Sequence, residues 1–329
     1  MTTEPAKQIE DADHIVVIQA ENPDGDSLGS ALALEEILGD QGKEVTLYCP
    51  VDIPKYLRYI IGWDRVVSDF PVKADMAIIV DTSAEVLLDK VLHSRGARAF
   101  LESHPVVVLD HHASEPTLTF PYTSVIENVV ATSHVNYNLA SKSHWKMNAQ
   151  AAEHMMIALM SDTLGLTTPN VTADSFRLAA SLTELGASSA VIETRRRDFA
   201  KKTPEILSYK GELISRIEYY LDGRLAVIHI PWEDIQAYSD QYNPGALISD
   251  ELRMVEGVDV VIAMKTYPDG RLTGRIRSNL PVGETIAGYF GGGGHAYASG
   301  FRIYESYEKT LAEVIKASSS ALKDFDETA

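Results

Sequence analysis

Four short runs of almost unbroken apolar residues, Ile15 to Ile18, Val45 to Tyr48, Ala77 to Val80 and Val106 to Leu109, punctuate the first third of the chain. Between the first two, Leu28, Ala31, Leu34 and Leu38 recur at helical spacing, and Gly39 and Gly42 supply stop signals. Strands that are apolar throughout, rather than alternating, are buried on both faces; separated by helices, they predict a parallel sheet with helices flanking it. Helical periodicity continues over Ala151 to Met160 and Ala173 to Leu185 and passes into the charged run Glu193 to Lys202. From about Ile214 the pattern changes to hairpins. Ile217 to Leu221 and Leu225 to Ile230 flank Asp222-Gly223, and Val258 to Lys265 and Leu272 to Ile276 flank Pro268-Asp269-Gly270. The expected organisation is an α/β domain over 1–190, a helical linker over 191–213, and a smaller α+β domain over 214–329.

At 329 residues and 45% hydrophobic content the chain can bury two cores. No apolar run approaches the roughly 18 residues of a membrane span, and the polar N-terminus lacks the apolar core of a secretion signal, so a soluble, cytoplasmic protein without a membrane partner is expected. Cys49 is the only cysteine. An internal disulfide and a cysteine-built metal cage are therefore excluded, and any metal must be held by carboxylates and imidazoles. A net charge of -18 argues against a protein that coats duplex nucleic acid, though a few local arginines could still hold a short anionic ligand. The run Glu193 to Lys202 is ordinarily a solvated helix face; its other reading is a phosphate-attracting wall.

Candidate chemistry gathers where predicted strands end. Asp110-His111-His112 follows the run Val106 to Leu109, at the edge where open α/β sheets hold ligands, although a capping Asp with two surface histidines is the plain alternative. Asp24-Gly25-Asp26 lies between the first strand and first helix, where it could project two carboxylates toward one point or serve as a helix cap. Asp81 ends a third strand, and Asp162 closes a helix. Carboxylates converging on one cleft repel unless cations are present, and hard oxygen donors with one or two imidazoles suit manganese or magnesium better than zinc. In the second domain, Arg275 and Arg277 alternate along one predicted strand and share a face, with Ser278 next. Gly291 to Gly294 before His295 is either a flexible linker or a backbone that admits a phosphate or base closely.

The order Asp24-x-Asp26, Asp81, Asp110-His111-His112, Asp162 resembles the four motifs of the DHH phosphoesterase superfamily. Gly291 to His295 with Ala298-Ser299-Gly300, and Arg277-Ser278, resemble its associated nucleotide-binding domain. The length is similar to that of the short members called oligoribonuclease or nanoRNase, many of which also dephosphorylate adenosine 3',5'-bisphosphate (pAp). The resemblance implies a cytoplasmic phosphoesterase acting on short single-stranded RNA or a nucleotide phosphate by metal-hydroxide attack at phosphorus, with a homodimer as its usual assembly. It implies two Mn2+ ions, Mg2+ being the other candidate, held by Asp24, Asp26, Asp81, His111 and Asp162, with Asp81 bridging. Asp110 would orient a neighbouring imidazole and His112 would contact the scissile phosphate. Arg275, Arg277, Ser278, Gly292, Gly293, Gly294 and His295 would hold the substrate. One departure stands out: the first motif usually begins with a histidine ligand four residues before the first aspartate, and here that position is Ala20. One metal site is therefore expected to be weakened, filled by water, or completed by Glu21 or Asn22. Cyclic dinucleotide phosphodiesterase activity and a nucleotide-binding pseudoenzyme are the alternatives.

Overall fold

The structure is a computed structural model, and it describes residues 3–239 and 242–328, apart from the side chains of residues 250 and 295. Two units divide the chain between Lys201 and Lys202. The first contains α1 (Glu4–Asp11), β1 (His14–Ile18), α2 (Gly25–Gly39), β2 (Glu44–Tyr48), β3 (Met76–Val80), α3 (Asp89–His93), α4 (Ala97–Ser103), β4 (Val106–Asp110), β5 (Thr123–Ile126), α5 (Thr132–Lys142), α6 (Ala149–Asp162), α7 (Ala173–Glu184) and α8 (Ser189–Phe199). All five strands run parallel in the order β2-β1-β3-β4-β5. Both faces of the sheet are covered, which explains the missing alternation in the sequence. Ile15 and Val17 of β1 belong to the core that includes Leu28 and Leu32 of α2, Val135 of α5 and Met155 of α6. Val16 and Ile18 belong to the opposite one, with Val91, Phe100 and Leu101 of α3 and α4. The edge strand β5 is half-exposed and lacks an apolar run, so nothing in the sequence announced it.

The strand order reverses between β1 and β3, the switch point at which chain crossovers depart to opposite sides and leave a crevice at the carboxyl ends. Asp24, Asp26, Asp81 and the Asp110-His111-His112 triplet all follow the carboxyl ends of β1, β3 and β4.

The second unit contains α9 (Pro204–Ser215), β6 (Glu218–Tyr220), β7 (Leu225–Ile230), α10 (Trp232–Tyr238), α11 (Pro244–Arg253), β8 (Val260–Thr266), β9 (Leu272–Ser278), α12 (Gly283–Tyr289), β10 (Gly293–His295), β11 (Ala298–Ile303) and α13 (Tyr307–Thr328). Its sheet, in the order β10-β11-β9-β8-β7-β6, is antiparallel except for the β7–β8 pair. Both expected hairpins form.

The stretch 191–213, expected as a linker, is divided by the boundary between the two units. α8 contributes Ile192 to the first unit's core, whereas α9 contributes Ile206, Tyr209 and Leu213 to a core of the second. Each helix carries one narrow apolar stripe beneath a charged surface, and the charge masked it in the sequence. The basic run is partly paired within its own unit: Arg195 pairs with Glu153 at 2.7 Å, Arg196 and Arg197 share Glu193, and Lys201 pairs with Asp198. Its phosphate-attracting reading has no support here.

Candidate metal centre

Asp24 is the N-cap of α2, its Oδ1 accepting from the Asp26 and Ser27 amides at 3.0 Å. That cap turns Asp26 inward, where it is fully buried. The Asp26 carboxylate accepts from the Thr132 amide at 2.6 Å, the Ser133 amide at 3.2 Å and the Ser30 hydroxyl at 3.1 Å. The first two donors are the opening amides of α5, which have no partner within their own helix and carry the positive end of its dipole. Asp81 sits just beyond β3 with φ +65°, a left-handed conformation in which Asp is one of the few tolerated residues. Its Oδ1 accepts from the Thr132 hydroxyl at 2.9 Å. Asp162 is the last residue of α6.

These groups surround His111. Its Nε2 lies 3.7 Å from Asp26 Oδ2, 3.6 Å from Asp81 Oδ1 and 3.2 Å from Asp162 Oδ2, yet it makes no well-formed hydrogen bond with any of them. On its far side, Nδ1 lies 3.2 Å from the Val129 carbonyl, which orients the ring. Asp110 is fully buried and accepts through Oδ1 from the His111 amide (2.8 Å), the His112 amide (3.2 Å) and His112 Nδ1 (2.7 Å). The His112 side chain is half-exposed.

The titration behaviour follows from crowding. Burial and the Asp162 charge raise the Asp26 carboxyl to about 6, and burial with the Asp26 charge pushes Asp81 well above the usual carboxylate range. Burial opposes a charged His111, but Asp162 and Asp81 outweigh it and raise the ring to about 11. Burial pushes Asp110 up, but the hydrogen bonds it accepts carry it below its ordinary value, and the Asp110 hydrogen bond raises His112. The cluster therefore calls for positive charge.

The donor set fits a divalent ion. Ligand atoms of Asp26, His111 and Asp162, and separately of Asp81, His111 and His112, lie within 4.8 Å of one another. An imidazole nitrogen facing three carboxylate oxygens without a proper hydrogen bond is what a bound cation would resolve. Asp24 falls outside both groups, and neither group includes Glu21 among the described residues. Ala20 is buried, and the Glu21 carboxylate accepts from the Lys90 amide instead.

Residues 14–159 match the DHH family, N-terminal domain. That match lies within the first unit. The chain is similar to the bifunctional oligoribonuclease and PAP phosphatase NrnA of Thermus thermophilus, 29% identical over 300 residues, 89% of this chain and 86% of that protein. It is also similar to the protein of the same name from Bacillus subtilis, at 24% identity over 95% of this chain and 97% of that one. Among solved structures, an exopolyphosphatase-related protein from Bacteroides fragilis superposes with a TM-score of 0.79 at 21% identity, covering 98% of this chain and 95% of that one.

The second unit places Arg275 and Arg277 on one face of β9, in register with Ala263 and Gly300, and with Val261 and Ala298. Arg275 Nε is buried without a hydrogen-bond partner, and Arg277 Nη1 donates to the Ile276 carbonyl. Ser278 is fully buried, its hydroxyl donating to the Leu280 and Ala296 carbonyls, so it braces the loop that ends β9. The glycine run is structured, not a linker. Side chains at Gly292 or Gly294 would strike β11, at Gly300 and Phe301 or at Ala298 and Ser299, whereas Gly293 faces open space. The His295 side chain lies outside the described residues.

Sequence reasoning missed Thr132, Ser133 and the role of the α2 glycines. Thr-Ser opening a helix was the available signal, but nothing local tied it to Asp26. Gly25 and Gly29 lie one helical turn apart on the α2 stripe facing α6, packed against Ser161 and the His154 carbonyl, and they set how near Asp162 comes to Asp26.

Proposed function

We propose that the protein is a divalent-metal-dependent phosphoesterase that hydrolyses short oligoribonucleotides, adenosine 3',5'-bisphosphate, or both. The observation that carries this reading is the convergence of carboxylate oxygens from Asp26, Asp81 and Asp162 on His111 Nε2. The printed activities of the NrnA relatives support the substrate class. Asp26, Asp81, His111 and Asp162 are the residues to hold the metal, and their hard, oxygen-rich set favours manganese, with magnesium next. Bound there, such ions polarise phosphoryl oxygens and lower the pKa of a coordinated water. His112 supplies the protein's own proton: Asp110 fixes its Nδ1 and raises its pKa, leaving Nε2 to donate to a phosphate oxygen. Within the second unit, Arg275, Arg277 and the backbone around Gly293 offer guanidinium and amide donors of the kind that suit a phosphate.

A second reading, nucleotide binding without turnover, is favoured by Ala20, a side chain that cannot coordinate a metal. One preparation assayed in parallel against a diribonucleotide, adenosine 3',5'-bisphosphate and cyclic di-AMP, with and without manganese, tests both. Manganese-dependent release of mononucleotide or phosphate from the first two supports the proposal. Cleavage of the cyclic dinucleotide alone would reassign the substrate, and binding without products would favour the second reading.

A further inference from the structure

Behind the metal centre, the first unit has a second cleft of about 610 Å3. Its walls are the segment 128–130, the first turns of α5, and the chain from Asn170 into α7. That volume suits a small organic molecule. His134 marks what kind. It is 8% exposed and lines the cleft; its Nδ1 is sealed from solvent without a partner, and Nε2, the nitrogen left for a ligand to reach, makes no hydrogen bond among the described residues. A polar ring held inside a protein without a partner is costly unless a ligand completes it.

Apart from Asp174, Arg177 and three aliphatic side chains, the remaining lining is neutral and hydrogen-bonding. Asn128, Asn170 and Ser175 bring amides and a hydroxyl, and Tyr137 brings an aromatic ring. The one cation of the wall, Arg177, forms an exposed pair with Asp174 at 2.5 Å, and the carboxylates of both Glu127 and Asp174 act on His134, so the charge around this ring is net negative and does not favour a phosphate. Burial also lowers the His134 pKa, which keeps the ring neutral. Neutral donors and acceptors beside an aromatic ring suit a flat heterocycle rather than an anion.

We propose that this cleft binds a nucleobase, with His134 as its hydrogen-bonding wall. The choice of base chemistry rests on the proposed function; the cleft and its unpartnered imidazole do not. Val129, which lines the cleft, is also the residue whose carbonyl orients His111, so an occupant would lie against the segment that positions a metal-site residue. The base could belong to the substrate or to a free nucleoside that modulates the site.

The test is calorimetric titration of the full chain with adenosine, uridine and ribose 5-phosphate. Neither nucleoside carries a phosphate for the metal centre or undergoes turnover, so the result stands whether or not hydrolysis is observed. Saturable binding of a nucleoside at millimolar concentration or below is expected, with none for ribose 5-phosphate. His134→Phe keeps the ring's shape and removes its nitrogens; Ser181→Trp fills the cleft from α7. Each should weaken nucleoside binding by about tenfold or more, with thermal melts reporting that the variant is folded. No saturable nucleoside binding, or unchanged binding in both folded variants, overturns the proposal. Two positive outcomes separate the sources: competitive inhibition of dinucleotide hydrolysis by adenosine identifies a substrate base, and an altered kcat at unchanged KM identifies a modulating nucleoside.

Discussion

Replacing Gly29 by alanine puts the closeness of α2 and α6 to a quantitative test. A Cβ at this position would stand 2.7 Å from the His154 carbonyl oxygen, 3.0 Å from Ala158 Cβ and 3.2 Å from the Ala158 amide nitrogen. None of these is the end of a flexible side chain, so relief requires α6 to back away by about 0.7 Å at the carbonyl. Overpacking of this kind costs about 1–3 kcal/mol, and the better helix propensity of alanine returns at most about 1 kcal/mol. The net loss of about 1–2 kcal/mol corresponds to a fall in Tm of roughly 3–6 °C for a unit of this size. Because α6 carries Asp162 to within 3.2 Å of His111, the same displacement should weaken manganese binding by about tenfold. Gly39→Ala, on the same helix with nothing within 4 Å of the added atom, is the control and should be neutral or slightly stabilising. Scanning calorimetry and manganese titration read both quantities. An unchanged or raised Tm in Gly29→Ala, together with unchanged metal affinity, would refute the claim that this glycine sets the approach of the two helices.

Other consequences are as direct. His154 is fully buried with both ring nitrogens unpartnered, and burial lowers its pKa to about 4. The unfolded chain takes up the proton first, so stability present above pH 6.5 is lost as pH falls toward 4, by about 3 kcal/mol. His154→Leu should flatten that part of the acid-unfolding curve, and an identical curve would contradict the burial argument. His112→Gln should lower kcat by about 10²–10³-fold while manganese affinity, read by calorimetry, is kept; loss of metal binding would instead make His112 a ligand. Manganese at about a hundred times its Kd should stabilise the protein by about 2.7 kcal/mol, and EDTA should remove this; equal Tm values with and without metal would count against a built site. Ala20→His should tighten manganese binding if the end of β1 borders the metal, whereas an unaltered isotherm would show that the site does not use this position.

Much of the first unit was legible because its signals are local. Strands buried on both faces read as continuous apolar runs, and the groups that follow them, Asp81 and Asp110-His111-His112, fall at carboxyl ends whatever the rest of the chain does. The glycine run was visible too, but not its job: only the pairing of β10 with β11 shows that Gly292 and Gly294 make room for their own neighbours. Asp24 likewise looked equivalent to Asp26. One closes the cap of α2 while the other turns inward, a difference set by backbone geometry that two aspartates in a row of three cannot display.

The sequence by itself determined the parallel α/β class, the hairpins of the second unit, the exclusion of a cysteine-built metal cage and the acidic and imidazole candidates for a site, since each depends on residue type and short-range spacing. Tertiary structure alone decided which donors meet. Thr132 lies 106 residues from Asp26, yet its amide reaches that carboxylate at 2.6 Å because α5 starts where the β1 and β3 crossovers leave a crevice. Contacts at that separation arise from how helices pack on a sheet, and no local pattern encodes them.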